Sequence, residues 1–83
     1  MDTQQVLSAA QSRGARAMLS WSQAELAAAA EVAQQTVVDF ERGARAPYTK
    51  TLAAIRRALE AAGVEFLPDN GVRLHEGKAP FVT

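Results

Sequence analysis

The chain has 83 residues, no cysteine, and nine acidic against nine basic side chains. A chain of this length forms one small domain, and the lack of cysteine excludes disulfides and thiolate metal sites as sources of its stability. The formal net charge of zero argues against indiscriminate binding to nucleic acid. Hydrophobic residues, many of them alanine, make up 48% of the chain, which indicates closely packed helices.

The N-terminal segment predicts a helix from Thr3 to about Leu19, capped by Asp2 or Thr3. Its apolar residues share one helical stripe: Val6, Leu7, Ala10, Ala17 and Met18. Gly14 lies on that stripe and weakens the helix by about 1 kcal/mol relative to alanine, unless another backbone passes close to it. The segment lacks the apolar run of a signal peptide, and no run approaches membrane-spanning length. We therefore expect a soluble, cytoplasmic protein.

A second helix is predicted to begin at Gln23 and to run through Ala30. Ser22 and Glu25 have the spacing of a capping box, in which the serine side chain and the glutamate side chain each bond the other residue's backbone N–H. Trp21 is placed to staple the start of this helix to the core. A helix of this length is too short to be stable in isolation, so we expect its alanines to lie in a tight contact.

A third helix is predicted from Gln34 to Arg42, and it has two unlike faces. One face carries Gln34, Gln35, Val38, Asp39 and Arg42, and the other carries Thr36, Val37, Phe40 and Glu41. Amides and carboxylates can read base edges, and arginine can bind phosphate or guanine. A polar face is equally typical of a solvated helix surface, so neighbouring features must decide between the two interpretations.

The distribution of charge favours nucleic acid over a plain solvated surface. Residues 33–57 carry five basic side chains against two acidic ones, whereas the segments before and after them are net negative. The positive charge is therefore concentrated around the third helix.

Only Glu31, Val32 and Ala33 separate the second and third helices, which is the spacing of a helix-turn-helix unit. Residues 13 to about 60 resemble the Cro/cI-type (XRE-type) helix-turn-helix family of phage and bacterial repressors. The resemblance is carried by SQAELA at 22–27, Val32, QQTV at 34–37, ERG at 41–43, Pro47, Leu52 and Ile55. It implies a mainly α, lambda-repressor-like helix-turn-helix bundle of four to five helices.

The resemblance also implies roles for individual residues. The base-facing positions of the third helix are matched by Gln34, Gln35 and Asp39. The resemblance implies a phosphate contact for Gln23 and a contact to phosphate or a thymine methyl group for Thr36. From their positive charge and position, Arg42 and Arg45 are also expected to contact the DNA backbone. Elementary chemistry agrees, because a glutamine amide can pair with adenine and an aspartate can accept from cytosine. The alternative for Gln23 is a polar residue of the first helical turn that makes no DNA contact. The alternative for Arg45 is a solvated loop arginine.

Glu41 falls on the inward face, where a carboxylate needs a partner. The resemblance implies that this partner is Arg16 of the first helix, so we expect the pair to be structural. The turn departs from the family pattern at two positions, with Glu31 where glycine is common and Ala33 where a serine or threonine cap is common. These departures affect the geometry of the turn and leave the outward face of the third helix intact.

Beyond the third helix, Gly43 is expected as a left-handed cap and residues 44–47 as a short basic loop. A further helix is predicted from about Thr49 to Gly63. Its apolar positions at helical spacing are Leu52, Ile55, Leu59 and Ala62. Arg56 and Arg57 are adjacent and are expected to be solvated.

The C-terminal part predicts a β-hairpin at 64–75, following a helix-turn-helix domain at 1–63. Two alternating segments, 64–67 and 72–75, flank a turn at 68–71 with Asn70 and Gly71 at its centre. An isolated hairpin is marginally stable in water, so it packs on the helices or pairs with a second chain. We favour the second, as a route to a homodimer. Residues 76–83 are expected to be a flexible tail, in which Phe81 and Val82 could dock on a partner.

The sequence contains no recognisable catalytic motif. His75 has no evident ligand or nucleophile partner, and there is no phosphate-binding glycine motif, nucleophile elbow or paired acid and base. We therefore predict a non-enzyme with no metal, cofactor or small-molecule ligand.

The leading hypothesis is a sequence-specific transcriptional regulator, a repressor that binds near-palindromic double-stranded DNA as a homodimer through the major groove. The alternative is a protein-interaction module of antitoxin or regulator-partner type that retains the helix-turn-helix fold. The neutral total charge and the altered turn keep the alternative open.

Overall fold

The structure is a computed structural model that describes residues 7–75. Four helices are followed by a two-stranded antiparallel sheet in this range, which confirms the predicted fold class. The helices are α1 (Ala9–Leu19), α2 (Gln23–Ala30), α3 (Gln34–Glu41) and α4 (Thr49–Ala61), and the strands are β1 (Val64–Leu67) and β2 (Gly71–Leu74). The predicted caps Asp2 and Thr3, the apolar Val6 and the predicted tail lie outside the described residues. None of these four helices is long and apolar enough to cross a membrane.

Helix α1 begins later than predicted, at Ala9 rather than Thr3. Its start is fixed by a capping box that the prediction overlooked. The Gln11 N–H donates to Ser8 Oγ, and the Ser8 N–H donates to Gln11 Oε1, both over 3.0 Å. Because this pair satisfies backbone donors at the first turn, the chain before Ser8 is not needed to start the helix.

The face that α1 buries also differs from the predicted apolar stripe. Three members of that stripe are exposed: Ala10, Ala17 and Met18. The buried residues of α1 are Gln11, Ser12 and Ala15. Two polar side chains lie inward because each bonds another element: Gln11 bonds the hairpin and Ser12 bonds α3. A buried face made of polar residues cannot be detected from the spacing of apolar residues.

The connection between α2 and α3 has the predicted form. Helix α2 begins with the capping box of Ser22 and Glu25. It ends at Ala30, and its C-cap residue Glu31 has a left-handed backbone with φ of 60°. Ala33 precedes α3 without a side-chain cap. A left-handed non-glycine residue costs on the order of 1 to 2 kcal/mol and a missing cap costs about 1 kcal/mol. Packing and ion pairing elsewhere must offset both.

One hydrophobic core joins the helices to the first strand. It consists of Leu7, Ala15, Leu26, Ala27, Ala30, Val37, Phe40, Ile55, Leu59 and Val64. Ile55 and Leu59 of α4 are fully buried, as their spacing predicted. The two buried alanines of α2 have small side chains, which lets α2 approach both α3 and α4 closely.

The hairpin turn lies one residue earlier than predicted. Its central residues are Asp69 and Asn70, with φ of 58° and 64°, and the Gly71 N–H donates to the Pro68 carbonyl over 3.1 Å. Gly71 therefore starts β2, where it pairs with Leu67. The prediction put Asn70 and Gly71 at the centre, but aspartate and asparagine both tolerate the left-handed region.

The hairpin packs on the helices of its own chain. Phe66, Val72 and Leu74 contact the core, and the Gln11 amide donates to the carbonyls of Leu67 and Gly71 over 3.1 Å each. This is the option that the prediction did not favour. Pairing of the hairpin with a second chain stays a prediction.

Strand β2 passes beside the glycine of α1. A Cβ added to Gly14 would lie 3.4 Å from Val72 Cγ2. The close neighbour at Gly14 is therefore a side chain of the hairpin, rather than the backbone that the prediction required.

Arg56 and Arg57 have different surroundings. Arg57 is exposed, as predicted. The guanidinium of Arg56 lies over the Phe66 ring, 5.0 Å from its centroid, and pairs with Glu60 over 2.8 Å. The prediction that both are solvated is wrong for Arg56, which ties α4 to the hairpin.

Candidate nucleic-acid interface

The polar face of α3 points to solvent. Gln34 and Gln35, in the first turn, are exposed, and Arg42 at the C-cap has a side chain 65% exposed. Asp39 lies between them on the same face with a side chain 23% exposed. The predicted base-facing residues therefore share one surface, which presents amide, carboxylate and guanidinium groups.

The opposite face of α3 is held in the core. Val37, Phe40 and Glu41 are its buried residues, and Val37 and Phe40 belong to the hydrophobic core. Thr36 is half-buried at the edge between the two faces. This division fixes which side of α3 is presented to a partner.

Glu41 anchors α3 to α1 through its buried carboxylate, which is 2% exposed. Arg16 binds both carboxylate oxygens: its Nη2 lies 2.7 Å from Oε1 and its Nε lies 2.9 Å from Oε2. Ser12 Oγ donates to Oε2 over 2.5 Å. The carboxylate thus has the compensating donors that a buried charge requires.

Two arginines of α1 also donate to backbone carbonyls of other segments. Arg16 Nη1 donates to the Trp21 carbonyl over 3.0 Å, and Arg13 donates to the backbone carbonyl of Glu41. Arginines one turn apart on α1 therefore hold the end of α3 and the start of the helix-turn-helix unit together.

Gln23, the predicted phosphate contact at the start of α2, points partly inward. Its Nε2 donates to Glu41 Oε1 over 3.2 Å, and its side chain is half-buried. The second N–H and the oxygen of the Gln23 amide take no part in this bond. Gln23 is thus hydrogen-bonded to Glu41, the residue that anchors α3.

The pKa of Glu41 reflects opposing effects. Burial raises the pKa, but hydrogen bonds from Arg16, Ser12 and Gln23 outweigh burial and hold the pKa below its ordinary value of 4.5. A carboxyl whose pKa is lower in the folded chain stabilises the fold above the unfolded pKa. This stabilisation is lost as the pH falls from about 4.5 through the folded pKa.

We therefore expect Glu41→Gln to reduce the acid sensitivity of the fold. Urea denaturation of wild type and Glu41→Gln between pH 7 and pH 3 measures this effect. The comparison isolates Glu41, because the other carboxyl groups are common to both proteins. The stability difference between wild type and Glu41→Gln should shrink below pH 4.5. A difference that stays constant over the whole range would contradict the assigned ion pair.

Asp39 joins the exposed side chains of α3 into a network. Its Oδ1 accepts from Gln35 Nε2 over 2.9 Å and from Arg42 Nη2 over 3.1 Å. These two hydrogen bonds, that of Gln35 first, hold the pKa of Asp39 below its ordinary value. The carboxylate is therefore ionised at neutral pH.

A pocket of about 340 Å³ lies between α3 and the segment that leads into α4. Its lining comprises Gln35, Thr36, Asp39, Arg45, Ala46, Pro47, Tyr48 and Thr51. The predicted backbone contact Arg45 is exposed and lies on the same side as the polar face of α3. The candidate interface thus extends from α3 to the basic loop.

Tyr48 was missed by the sequence analysis. It is the N-cap residue of α4, is 86% exposed and lines the pocket beside α3. The available signal in the sequence was a single tyrosine directly after the basic loop.

These features define a class of protein: a capped helix, a tight turn and a second helix with an outward polar face form a helix-turn-helix domain. The helix-turn-helix family HTH_3 matches residues 13–66, from within α1 into β1. The chain therefore belongs to this XRE-type family, as the resemblance predicted, and is a DNA-binding helix-turn-helix regulator. None of the curated proteins compared with the chain matches it.

Proposed function

We propose that the chain is a sequence-specific transcriptional repressor that binds near-palindromic operators as a homodimer through the major groove. The observation that carries the proposal is the pair of exposed glutamines at the start of a helix whose opposite face is buried. A helix presented in this way fits the width of the major groove, where base edges carry a unique pattern of donors and acceptors.

Within the proposed complex, Gln34, Gln35 and Asp39 face the base pairs. A glutamine can bind adenine through both its amide oxygen and its amide nitrogen, and a carboxylate can accept from cytosine. Thr36, at the edge of this face, contacts phosphate or a thymine methyl group. Exposure and a shared surface support these roles.

Contacts to the DNA backbone come from both sides of this helix. Arg42 and Arg45 supply positive charge, and the N–H of Gln23 that does not bond Glu41 donates to a phosphate. We add Tyr48, whose hydroxyl can donate to phosphate and whose exposure and position beside Arg45 support this contact. Function follows from these contacts alone, without a catalytic step or a cofactor.

Dimerisation through the hairpin is proposed because each strand of the two-stranded sheet has only one strand neighbour within residues 7–75. An unpaired strand edge is a template for pairing with another chain. In the dimer, the two copies of α3 would enter successive major grooves about 34 Å apart. Sedimentation equilibrium of the full chain tests this point directly.

The function is tested by fluorescence anisotropy titrations of the full chain against genomic fragments at two salt concentrations. We expect selective binding of some fragments that weakens as salt rises, because phosphate contacts release counterions. Arg45→Ala should weaken binding to all fragments alike, with Arg57→Ala, which removes an exposed arginine of α4, as the matched control. A folded protein that binds no fragment selectively would contradict the proposal and favour the protein-interaction module.

A further inference from the structure

Asp39 is engaged by its own helix on both sides. Gln35 lies one turn before it and Arg42 one turn after it, and both donate to the same oxygen, Oδ1. The Asp39 side chain is 23% exposed, against 65% for Arg42. The Asp39 side chain is therefore less exposed than that of Arg42, and its Oδ1 already accepts two hydrogen bonds.

The Asp39 carboxylate also fixes the orientation of the Gln35 amide. An ionised carboxylate only accepts hydrogen bonds, so Gln35 can bond it through Nε2 and not through Oε1. One N–H of Gln35 is thereby occupied. The amide oxygen and the second N–H remain for a partner.

This remaining pair of groups matches adenine and mismatches guanine. In the major groove adenine presents an N6 donor and an N7 acceptor, whereas guanine presents two acceptors, O6 and N7. An amide that offers one acceptor and one donor satisfies adenine at both atoms. Against guanine, its oxygen would face another acceptor. If the hydrogen bond to Asp39 were lost, both N–H groups of the Gln35 amide would be available as donors.

We propose that Asp39 is a specificity-determining positioning residue, which holds Gln35 in the orientation that selects adenine over guanine and does not itself bond a base. This proposal rests on the proposed function. It changes the role of Asp39 from reading cytosine to setting what Gln35 reads.

The test is a selection of bound duplexes from one random library with wild type, Gln35→Ala and Asp39→Ala. Gln35→Ala identifies the base position that Gln35 reads, as the position whose preference disappears. At that position, wild type should prefer adenine over guanine by roughly tenfold or more. Asp39→Ala should reduce this ratio to about threefold or less while a recognisable site is still selected.

Two further variants separate positioning from charge and from folding. Arg42→Ala leaves the bond between Gln35 and Asp39 in place, so it should weaken binding overall and keep the adenine preference. Asp39→Asn should relax the preference, because an amide can both donate to and accept from Gln35. Circular dichroism melting of each variant confirms that it is folded.

Three results would overturn the proposal. Asp39→Ala could keep the adenine preference and lose a cytosine preference at another base pair, which would make Asp39 a base contact. Wild type could show no adenine preference at the position that Gln35 reads. If folded wild type selects no site at all, the proposed function itself fails, and this inference fails with it.

Discussion

Arg16→Ala should lower the free energy of unfolding by about 3 to 5 kcal/mol. The substitution leaves the Glu41 carboxylate buried, with Ser12 and Gln23 as its remaining side-chain donors. It also removes the bond from Arg16 to the Trp21 carbonyl. Small domains are stable by about 5 to 15 kcal/mol, so the loss should be plain in urea denaturation and in the melting temperature.

Two control variants distinguish the Arg16–Glu41 ion pair from ordinary surface charges. Arg57→Ala removes an exposed arginine and should change stability by about 0.5 kcal/mol or less. The double variant Arg16→Met/Glu41→Leu should be more stable than Arg16→Ala, because it removes both buried charges together. An Arg16→Ala protein as stable as wild type would show that Glu41 does not depend on Arg16.

Gln35→Ala should cost about 1 to 3 kcal/mol of binding free energy at one base position of the operator. The reason is that the amide is exposed in the first turn of α3 and can form two hydrogen bonds to one base. The measurement is a set of anisotropy titrations on the selected site and on its single-base variants.

Arg45→Ala supplies the contrasting result on the same set of duplexes. Because phosphate carries no sequence information, this variant should weaken binding to every duplex by a similar factor and reduce the salt dependence by the equivalent of about one phosphate contact. If Gln35→Ala also weakens binding uniformly, Gln35 contacts the backbone and the reading of α3 must be revised.

The helix-turn-helix unit was predictable from sequence because its signals are local. The Ser22 and Glu25 capping box, the buried spacing of Ile55 and Leu59, and the left-handed Gly43 all occur in the structure. Each depends on residues within one or two helical turns. Such features can be predicted without knowing which distant segments come into contact.

Other features were not predictable because they depend on contacts between distant segments. Gln11 is buried since it bonds carbonyls at positions 67 and 71, and no local pattern reveals such partners. The same applies to the stacking of Arg56 on Phe66. Within the candidate site, the helical wheel placed Gln35, Asp39 and Arg42 on one face, but it could not show that they bond one another.

The most direct test of the central claim is a selection of bound sites from random double-stranded DNA with the full chain. We expect one enriched, near-palindromic site whose half-sites lie about 34 Å apart. The adenine positions of this site should lose their preference in Gln34→Ala/Gln35→Ala. The contrary result is a folded wild-type protein that enriches no site, or a site whose base preferences are unchanged when both glutamines are removed.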